Sequence, residues 1–153
     1  MNAALTWARE GDRIALTGRI DENANLQALA ADVPLEGAIM DLSGLTRINS
    51  IGVREWMDFL ASLAGRRLRL ERCAPVFVEQ LNAIANFSGQ AEVKSVLALF
   101  ECEADGESVD VEVETDDARA QRFPLAPRCP RCGAETLPAQ ENDLYYRFLR
   151  YAR

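Results

Sequence analysis

The chain has 153 residues, 48% hydrophobic and 27% charged, which is typical of a globular protein with one domain and at most a small appendage. Its formal net charge of -7 argues against nucleic-acid binding, and the absence of histidine removes the commonest general base, so enzymatic catalysis is disfavoured. No apolar run approaches the roughly 18 residues of a membrane span, and no signal peptide is visible, so we expect a cytoplasmic protein without membrane contacts.

The first part of the chain begins with a hairpin pattern and a helix pattern. Residues 5–8 and 13–17 flank the turn "EGD" as two predicted strands, and Gly18 ends the second. The segment "DENANLQALAAD" is predicted to form a helix capped by Asp21 or Asn23. The apolar run "AIMDL" then predicts a strand buried on both faces.

Further helices and strands alternate after a polar turn. The apolar residues of a second helix recur on one face and are Val53, Trp56, Met57, Leu60 and Leu63. "RRLRLE" alternates as a strand, a third helix begins at Pro75 with Val76, Val78, Leu81 and Ile84 inside, and "EVKSVLALF" is the last strand. This order predicts an α/β domain over residues 1–99, with a mixed, largely parallel sheet and helices packed against it.

The composition changes at Phe100. Residues 101–117 contain nine acidic and no basic residues, whereas residues 119–153 contain seven arginines and three acids. We therefore predict a small β-hairpin module at residues 100–153, in which "VDVEVE" is a strand and "RFPL" its partner. A terminal helix would carry Leu144, Phe148 and Tyr151 on one side, although its aromatic residues also suit a strand.

The stretch "DLSGLTRINSIGVREWMDFL" places Ser50 where the second helix begins. The serine oxygen is suited to cap the first turn by accepting an amide hydrogen. The same position favours an added phosphoryl group, because a helix N-terminus carries positive partial charge. The residues alone leave both interpretations open. Gly52 in the first turn predicts a close approach by a neighbouring backbone or by a partner.

This stretch and the order of elements resemble the STAS domain family, which includes anti-sigma factor antagonists and the C-terminal domains of sulfate transporters. The resemblance covers about residues 4–99. In the bacterial antagonists the anti-sigma factor is a kinase that phosphorylates the serine of the motif, and the unphosphorylated form binds this kinase and frees the sigma factor. The resemblance implies that Ser50 is the phosphoacceptor, preceded by Asn49 and followed by Gly52 in the first helical turn.

The chain departs from the phosphorylated members at two positions. They have Asp in place of Asn49 and often a second Ser or Thr in place of Ile51. Some members of the family keep the fold as a docking module that is not phosphorylated. Both a phosphorylated switch and an unphosphorylated docking module therefore remain consistent with the resemblance.

Two carboxylates are predicted to lie at one edge of the sheet, Asp21 after "TGRI" and Asp41 in "MDL". In related antagonists this edge is part of the partner-binding face. The resemblance therefore implies a partner-binding surface made of Asp21, Asp41, Asn49, Ser50, Ile51 and Gly52. Because no nucleophile or base accompanies the carboxylates, we expect turn capping and charge complementarity from them instead of catalysis.

The appendage carries a repeated cysteine pattern. "CPRCG" at residues 129–133 has the form of a zinc knuckle, and "CEADG" at residues 102–106 repeats it with aspartate at the second ligand position. The pair resembles a degenerate zinc ribbon, which implies a zinc site formed by Cys102, Asp105, Cys129 and Cys132. Loss of the metal and a redox disulfide between Cys129 and Cys132 remain as alternatives, and Cys73 is predicted to be a buried apolar residue.

The terminal segment interleaves arginine with tyrosine, in the order Tyr145, Tyr146, Arg147, Arg150, Tyr151 and Arg153. Such a pattern can stack on single-stranded nucleic acid. It is also consistent with a solvated face, or with an intramolecular match to the acidic run.

The residues and the resemblance together predict a non-enzymatic regulator from a bacterium that binds a protein partner. The expected partner is an anti-sigma factor or serine kinase-like regulator, and phosphorylation of Ser50 would switch the interaction. The alternative is an unphosphorylated structural adaptor in a multi-protein assembly.

Overall fold

In a computed structural model that describes residues 3–151, the chain forms two sheets and six helical segments. The strands are β1 (Thr6–Glu10), β2 (Arg13–Ile20), β3 (Gly37–Ile48), β4 (Arg67–Glu71), β5 (Glu92–Val93), β6 (Ser95–Cys102), β7 (Ser108–Glu114) and β8 (Thr136–Pro138). The helices are α1 (Leu26–Asp32), α2 (Ser50–Ser62), α3 (Pro75–Ala83), α4 (Thr115–Arg119), α5 (Asn142–Tyr145) and a 3-10 helix at Arg147–Arg150.

The larger sheet has the strand order β1-β2-β3-β4-β5. β1 and β2 form the predicted antiparallel hairpin, and every pair from β2 to β5 is parallel. Each parallel connection passes through one helix, because a crossover between parallel strands needs a long connection. The prediction of a mixed, largely parallel sheet with helices is confirmed.

β2 and β3 extend further than the sequence predicts. Gly18 lies within β2, opposite Leu45, and residues 43–48 continue β3 where a polar turn was expected. The two strands stay paired over this length through two register shifts. Pairing with a neighbouring strand therefore outweighs the low strand preference of glycine and of polar residues.

The first helix begins later than predicted. Asn25 is its N-cap and accepts a hydrogen bond from the amide of Ala28 at 3.0 Å. Asp21 and Asn23 lie before the helix, and the amide of Asn23 donates to the carboxylate of Asp21 at 3.0 Å. The aspartate thus stabilises the turn after β2 and does not cap the helix.

The aromatic side chains of α2 and α3 meet in the core of the larger sheet. Trp56 is fully buried, with ring centroids 5.2 Å from Phe59 and 5.3 Å from Phe77. Of the predicted apolar faces, the buried members are Trp56, Leu60, Leu63, Val78 and Leu81, and the half-buried members are Val53, Met57, Val76 and Ile84. Phe59 and Phe77, which the prediction left out, are buried instead of the half-buried members.

The segment predicted as the last strand divides between the two sheets. β5 pairs with β4 over Glu92–Val93 only, and after Lys94 the chain enters β6, the centre of an antiparallel sheet with the order β7-β6-β8. β6 runs through residues 99 and 100, where the sequence placed the domain boundary. β7 pairs with β6 from Ser95 to Glu101, so this half of the predicted strand belongs to the second sheet.

The second sheet contains one predicted strand and one unpredicted strand. β7 contains "VDVEVE", with Val113 buried and its acidic residues exposed, as the alternation predicts. "RFPL" is not a strand, and β8 pairs with β6 on the other edge. The proline of "RFPL" has no amide to donate to a strand ladder, which explains why this segment does not pair.

The C-terminal segment packs against α3 in an unexpected orientation. Tyr145, Tyr146 and Phe148 are buried, whereas Leu144 and Tyr151, predicted to face inward with Phe148, are 48% and 71% exposed. The buried residues of the two sheets and of this segment form one hydrophobic cluster. None of the helices in residues 3–151 has the length and apolarity needed to cross a membrane. Arg153 lies outside the described residues.

A candidate docking surface and a candidate metal centre

The first turn of α2 is capped by Asn49 and not by Ser50. Asn49 has an extended backbone, and its Oδ1 accepts a hydrogen bond from the amide of Gly52 at 2.7 Å. Ser50 is the first residue of the helix itself. Of the two interpretations of Ser50, the one in which its oxygen caps the helix does not hold, because the asparagine one residue earlier occupies the N-cap position.

Gly52 allows the start of α2 to lie directly on the end of β2. It is buried, and a side chain at this position would overlap the carbonyl group of Ile20. The amide of Asn49 donates to the same carbonyl at 3.3 Å. The predicted close approach is therefore made to a neighbouring backbone. It fixes the first turn of α2 at the carboxyl end of β2, the edge where open α/β sheets present ligands.

Ser50 and Ile51 are exposed beside this contact. Among residues 3–151, no hydrogen-bond partner is found for the Ser50 hydroxyl, and Ile51 is 48% exposed. Arg54 is also exposed and lies one helical turn after Ser50 on the same side of α2. A free hydroxyl, an apolar side chain and a cation thus lie together at the positive end of a helix.

Asp21 joins this surface from the end of β2. It is only 8% exposed, and its carboxylate accepts a hydrogen bond from Arg19 Nε at 2.5 Å. Burial raises the pKa of Asp21, but the hydrogen bonds from the amide of Asn23 and the guanidinium of Arg19 outweigh burial. The pKa of Asp21 is therefore below its ordinary value. Glu22 accepts a hydrogen bond from Asn49 Nδ2 at 2.8 Å. The loop after β2 is therefore linked to the cap of α2.

Asp41 does not lie at this surface. It is in the middle of β3, opposite Ala15 of β2 and Glu71 of β4. Ala15 precedes Asp21 by six residues, which is about 20 Å along an extended strand. The Asp41 carboxylate lies 3.5 Å from Arg72 instead. The prediction of a shared edge is wrong for Asp41, because β4 ends at its level whereas β2 and β3 continue beyond it.

Four side chains at one end of the second sheet are positioned to bind a metal ion. They are Cys102, Asp105, Cys129 and Cys132, and one ligand atom from each lies within 4.8 Å of the others. The sulfur atoms of Cys102 and Cys132 are 3.5 Å apart, and Cys129 Sγ lies 3.4 Å from Asp105 Oδ2. Cys102 and Cys129 are buried, whereas Asp105 and Cys132 are exposed, so the centre has an inner and an outer side.

Two turns of equivalent geometry deliver these ligands. In residues 102–107, the amide of Cys102 donates to the carbonyl of Glu107 at 2.8 Å, and the amide of Gly106 donates to the carbonyl of Cys102 at 2.9 Å. Residues 129–134 repeat both bonds at the same lengths. The glycines of the two turns have φ values of 76° and 78°, a conformation that favours glycine. The predicted repeat of the knuckle is confirmed.

The charges in the centre suit a cation. The amide of Glu107, and then the neighbouring thiol groups, lower the pKa of Asp105 to about 2. The amide of Ala134 favours the Cys132 thiolate, but Cys102 and the Asp105 carboxylate raise the pKa of Cys132 to about 12. A bound cation reverses this second effect, because a coordinating thiol loses its proton. Each of the four cysteines is a free thiol.

Cys73 lies outside the metal centre, at the start of the connection into α3. It is fully buried, and burial raises the pKa of its thiol. The prediction that Cys73 is a buried apolar residue is confirmed.

The acidic run pairs with arginine, but the partners differ from the predicted ones. Arg122 lies 2.8 Å from Asp117, and Arg131 lies 3.5 Å from Glu107. No ion pair joins Arg147 or Arg150 to another residue in the described part of the chain. The burial of Tyr145 and Tyr146 removes most of the stacking surface that single-stranded nucleic acid would need.

Polar side chains that the sequence patterns do not predict join the two parts of the chain. Asn82 of α3 donates to the carbonyl of Tyr145 at 2.9 Å and accepts from the amide of Phe148 at 2.8 Å. Ser95 is buried at the start of β6, and its hydroxyl accepts a hydrogen bond from the amide of Arg72, after β4, at 2.8 Å and donates to Glu112 at 2.7 Å. The interruption of the apolar α3 pattern by Asn82 is the signal that the sequence offers.

Comparison of the sequence with models of known protein families and with curated proteins gives no match.

Proposed function

We propose that the chain is a non-enzymatic protein-interaction regulator that resembles the anti-sigma factor antagonists of the STAS family. Its docking surface consists of Glu22, Asn49, Ser50 and Ile51, which we name the Ser50 surface, and the largely buried Asp21 stabilises the adjoining turn. The partner is an anti-sigma factor or serine kinase-like protein. The observation that carries this proposal is the exposed Ser50 hydroxyl beside Ile51, at a helix start where Asn49 already provides the cap.

The geometry supports a switch by phosphorylation. In the unmodified form, Ile51 supplies apolar area and the small Ser50 side chain permits close packing. A phosphoryl group adds about 1.5 to 2 negative charges, which a close-packed interface would have to desolvate. The carboxylates of Asp21 and Glu22 lie beside Ser50 and add to the negative charge that the partner would meet. The helix N-terminus stabilises the phosphorylated serine in the free protein, so modification lowers partner affinity without unfolding α2.

The test is a comparison of wild type, Ser50→Ala and Ser50→Asp as immobilised baits in a lysate of the native cells. We expect a kinase-like protein on the first two baits and its loss from Ser50→Asp, with phosphate on Ser50 in recovered wild type by mass spectrometry. Ser108→Asp, on the exposed β7 strand, is the matched charge control and should retain the partner. If Ser108→Asp also loses the partner, the effect of the added charge is not specific to Ser50.

The second candidate is a structural adaptor that docks without phosphorylation. The single hydrophobic cluster shared by both sheets favours it, because the cluster packs the two sheets together as one unit. The same baits distinguish the two functions. Equal recovery of partners on all three baits, with no phosphate on Ser50, supports the adaptor.

We propose that the metal ion is zinc, in a structural role. Four zinc ligands in a tetrahedron, with zinc to sulfur bonds of about 2.3 Å, place neighbouring sulfurs about 3.8 Å apart. The sulfur atoms of Cys102 and Cys132 are already 3.5 Å apart, and a carboxylate oxygen is an admissible fourth ligand. Zinc would join the turn between β6 and β7 to the turn before β8.

Zinc content measured by elemental analysis of the purified protein tests this assignment. We expect one zinc ion per chain, loss of zinc with Cys132→Ser, and tighter binding with Asp105→Cys. Zinc affinity should fall as the pH falls, because up to three thiol protons compete with the ion. Asp105, with a pKa of about 2, is already ionised and releases no proton at neutral pH. A protein that takes up no zinc from a zinc-buffered solution would contradict the assignment.

A further inference from the structure

A partly open pocket lies between the start of α3, the strand β6 and the C-terminal segment. Its volume is about 150 Å³. Aromatic rings and prolines supply most of its wall, and they are Phe100, Phe123, Tyr145, Tyr146, Pro75, Pro124 and Pro138. A cavity of about 150 Å³ with apolar walls is large enough to bind benzene. The pocket therefore has the size and the lining for one aromatic ring.

A basic groove of about 230 Å³ adjoins this pocket. The two cavities share a wall made of Phe123, Asn142 and Tyr146. The charged residues of the groove are Arg119, Arg147, Arg150 and Asp143, and Arg119 already forms an ion pair with Asp116 at 3.4 Å. The guanidinium groups of Arg147 and Arg150 have no carboxylate partner in the described part of the chain, although the whole protein is acidic.

The shared wall is held in place by contacts within the protein. The Tyr145 hydroxyl donates a hydrogen bond to the carbonyl of Leu97, and Asn82 fixes the backbone of Tyr145 and Phe148. The rings of Phe123 and Tyr146 pack with their centroids 5.1 Å apart. A ligand therefore meets walls that are already ordered, which reduces the entropy that binding must offset.

We propose that the pocket and the groove together bind a small aromatic carboxylate. The ring enters the pocket, and the carboxylate lies in the groove against Arg147 and Arg150. Arginine suits this task because its planar guanidinium donates two parallel hydrogen bonds to a carboxylate. This site is separate from the Ser50 surface and from the metal centre, so it goes beyond the proposed function.

The proposal is tested with 3-phenylpropionate, titrated into the full-length protein by calorimetry and by NMR. We expect one saturable site per chain, with shifts at Phe123 and Tyr146. The alcohol 3-phenylpropanol and the amine 3-phenylpropylamine have the same ring without the negative charge. They should bind at least about tenfold more weakly, since a charge-assisted hydrogen bond is worth at least that factor.

Two variants separate the ring pocket from the anion site. The double variant Arg147→Gln, Arg150→Gln should weaken 3-phenylpropionate about tenfold and leave the alcohol unchanged. Ala126→Trp, at an exposed alanine of the pocket wall, should abolish binding of both compounds while the melting temperature stays near that of wild type. Arg128→Gln is the matched control, an exposed arginine outside the groove lining.

Three outcomes would overturn the proposal. The first is absence of saturable binding by 3-phenylpropionate. The second is equal binding of the acid, the alcohol and the amine, which would identify apolar adsorption only. The third is binding of an acidic phenylalanine-containing peptide in the same NMR region when the free acid does not bind, which would identify a docking site for a protein. None of these assays involves Ser50. A negative result would therefore contradict the ligand site and would not test the proposed function.

Discussion

The two sheets of this chain are stabilised in different ways. The larger sheet is covered by multi-turn helices whose buried aromatic side chains, such as Trp56 and Phe77, form a dense apolar core. The second sheet has three strands and short helices, and it depends on the C-terminal segment, polar contacts such as those of Asn82, and four clustered ligand side chains. A small unit that buries little apolar surface needs such additional constraints, whereas a larger one does not.

Truncation of Trp56 is the largest expected change in the core of the larger sheet. Trp56→Ala should lower the free energy of unfolding by about 3 to 5 kcal/mol, because it removes a fully buried ring and leaves a cavity. Urea denaturation measures this loss. Leu35→Ala is the control, since Leu35 is 78% exposed and its truncation should change stability by less than about 0.5 kcal/mol. Similar losses for the two variants would contradict the presence of a dense apolar core around Trp56 in the larger sheet.

Removal of zinc should destabilise the second sheet and leave the larger one folded. If free zinc exceeds its dissociation constant about a thousandfold, chelation removes about 4 kcal/mol of stabilisation. Hydrogen exchange by mass spectrometry should increase in residues 101–151 and stay unchanged in β2 and β3. Cys73→Ala is the control variant. It should keep its zinc, because Cys73 is not a ligand. A uniform increase over the whole chain would mean that the two regions unfold as one unit.

Asn82→Ala tests the polar connection between the regions. It leaves the carbonyl of Tyr145 and the amide of Phe148 without their partner, which should lower stability by about 1 to 3 kcal/mol. The increase in hydrogen exchange should be concentrated in residues 142–150. Gln80→Ala, on the same helix, is the matched control and should have a smaller effect. An equal effect of both substitutions would mean that the hydrogen bonds of Asn82 do not stabilise the connection between the regions.

The smallest expected effects distinguish the cap of α2 from its neighbour. Asn49→Ala should lower stability by about 1 kcal/mol through loss of the N-cap. Ser50→Ala should change stability by less than about 0.5 kcal/mol, because its exposed hydroxyl has no partner among residues 3–151. Thermal unfolding of both variants measures the difference. A larger loss of stability for Ser50→Ala than for Asn49→Ala would mean that Ser50 caps the helix. It would contradict the observation on which the proposed switch depends.

The local patterns predicted the elements well, and they failed where two distant segments meet. The hairpin, the alternation of strands and helices, and the two cysteine turns follow from residue periodicity and from glycine positions. The division of one apolar run into β5 and β6 does not, because both strands have the same pattern and only their neighbours differ. Asp41 was misplaced for a similar reason, since the lengths of the paired strands decide which carboxylates share an edge.

The sequence by itself determined the α/β order, the position of Ser50 at the start of α2 and the set of four candidate ligands. Each of these depends on residues close together in the chain or on a repeated short motif. The tertiary structure alone decided that Asn49 caps α2, that Tyr145 and Phe148 are fastened to Asn82, and that an aromatic pocket adjoins unpaired arginines. Such features arise from contacts between segments far apart in sequence, whose free energies depend on packing and not on local propensity.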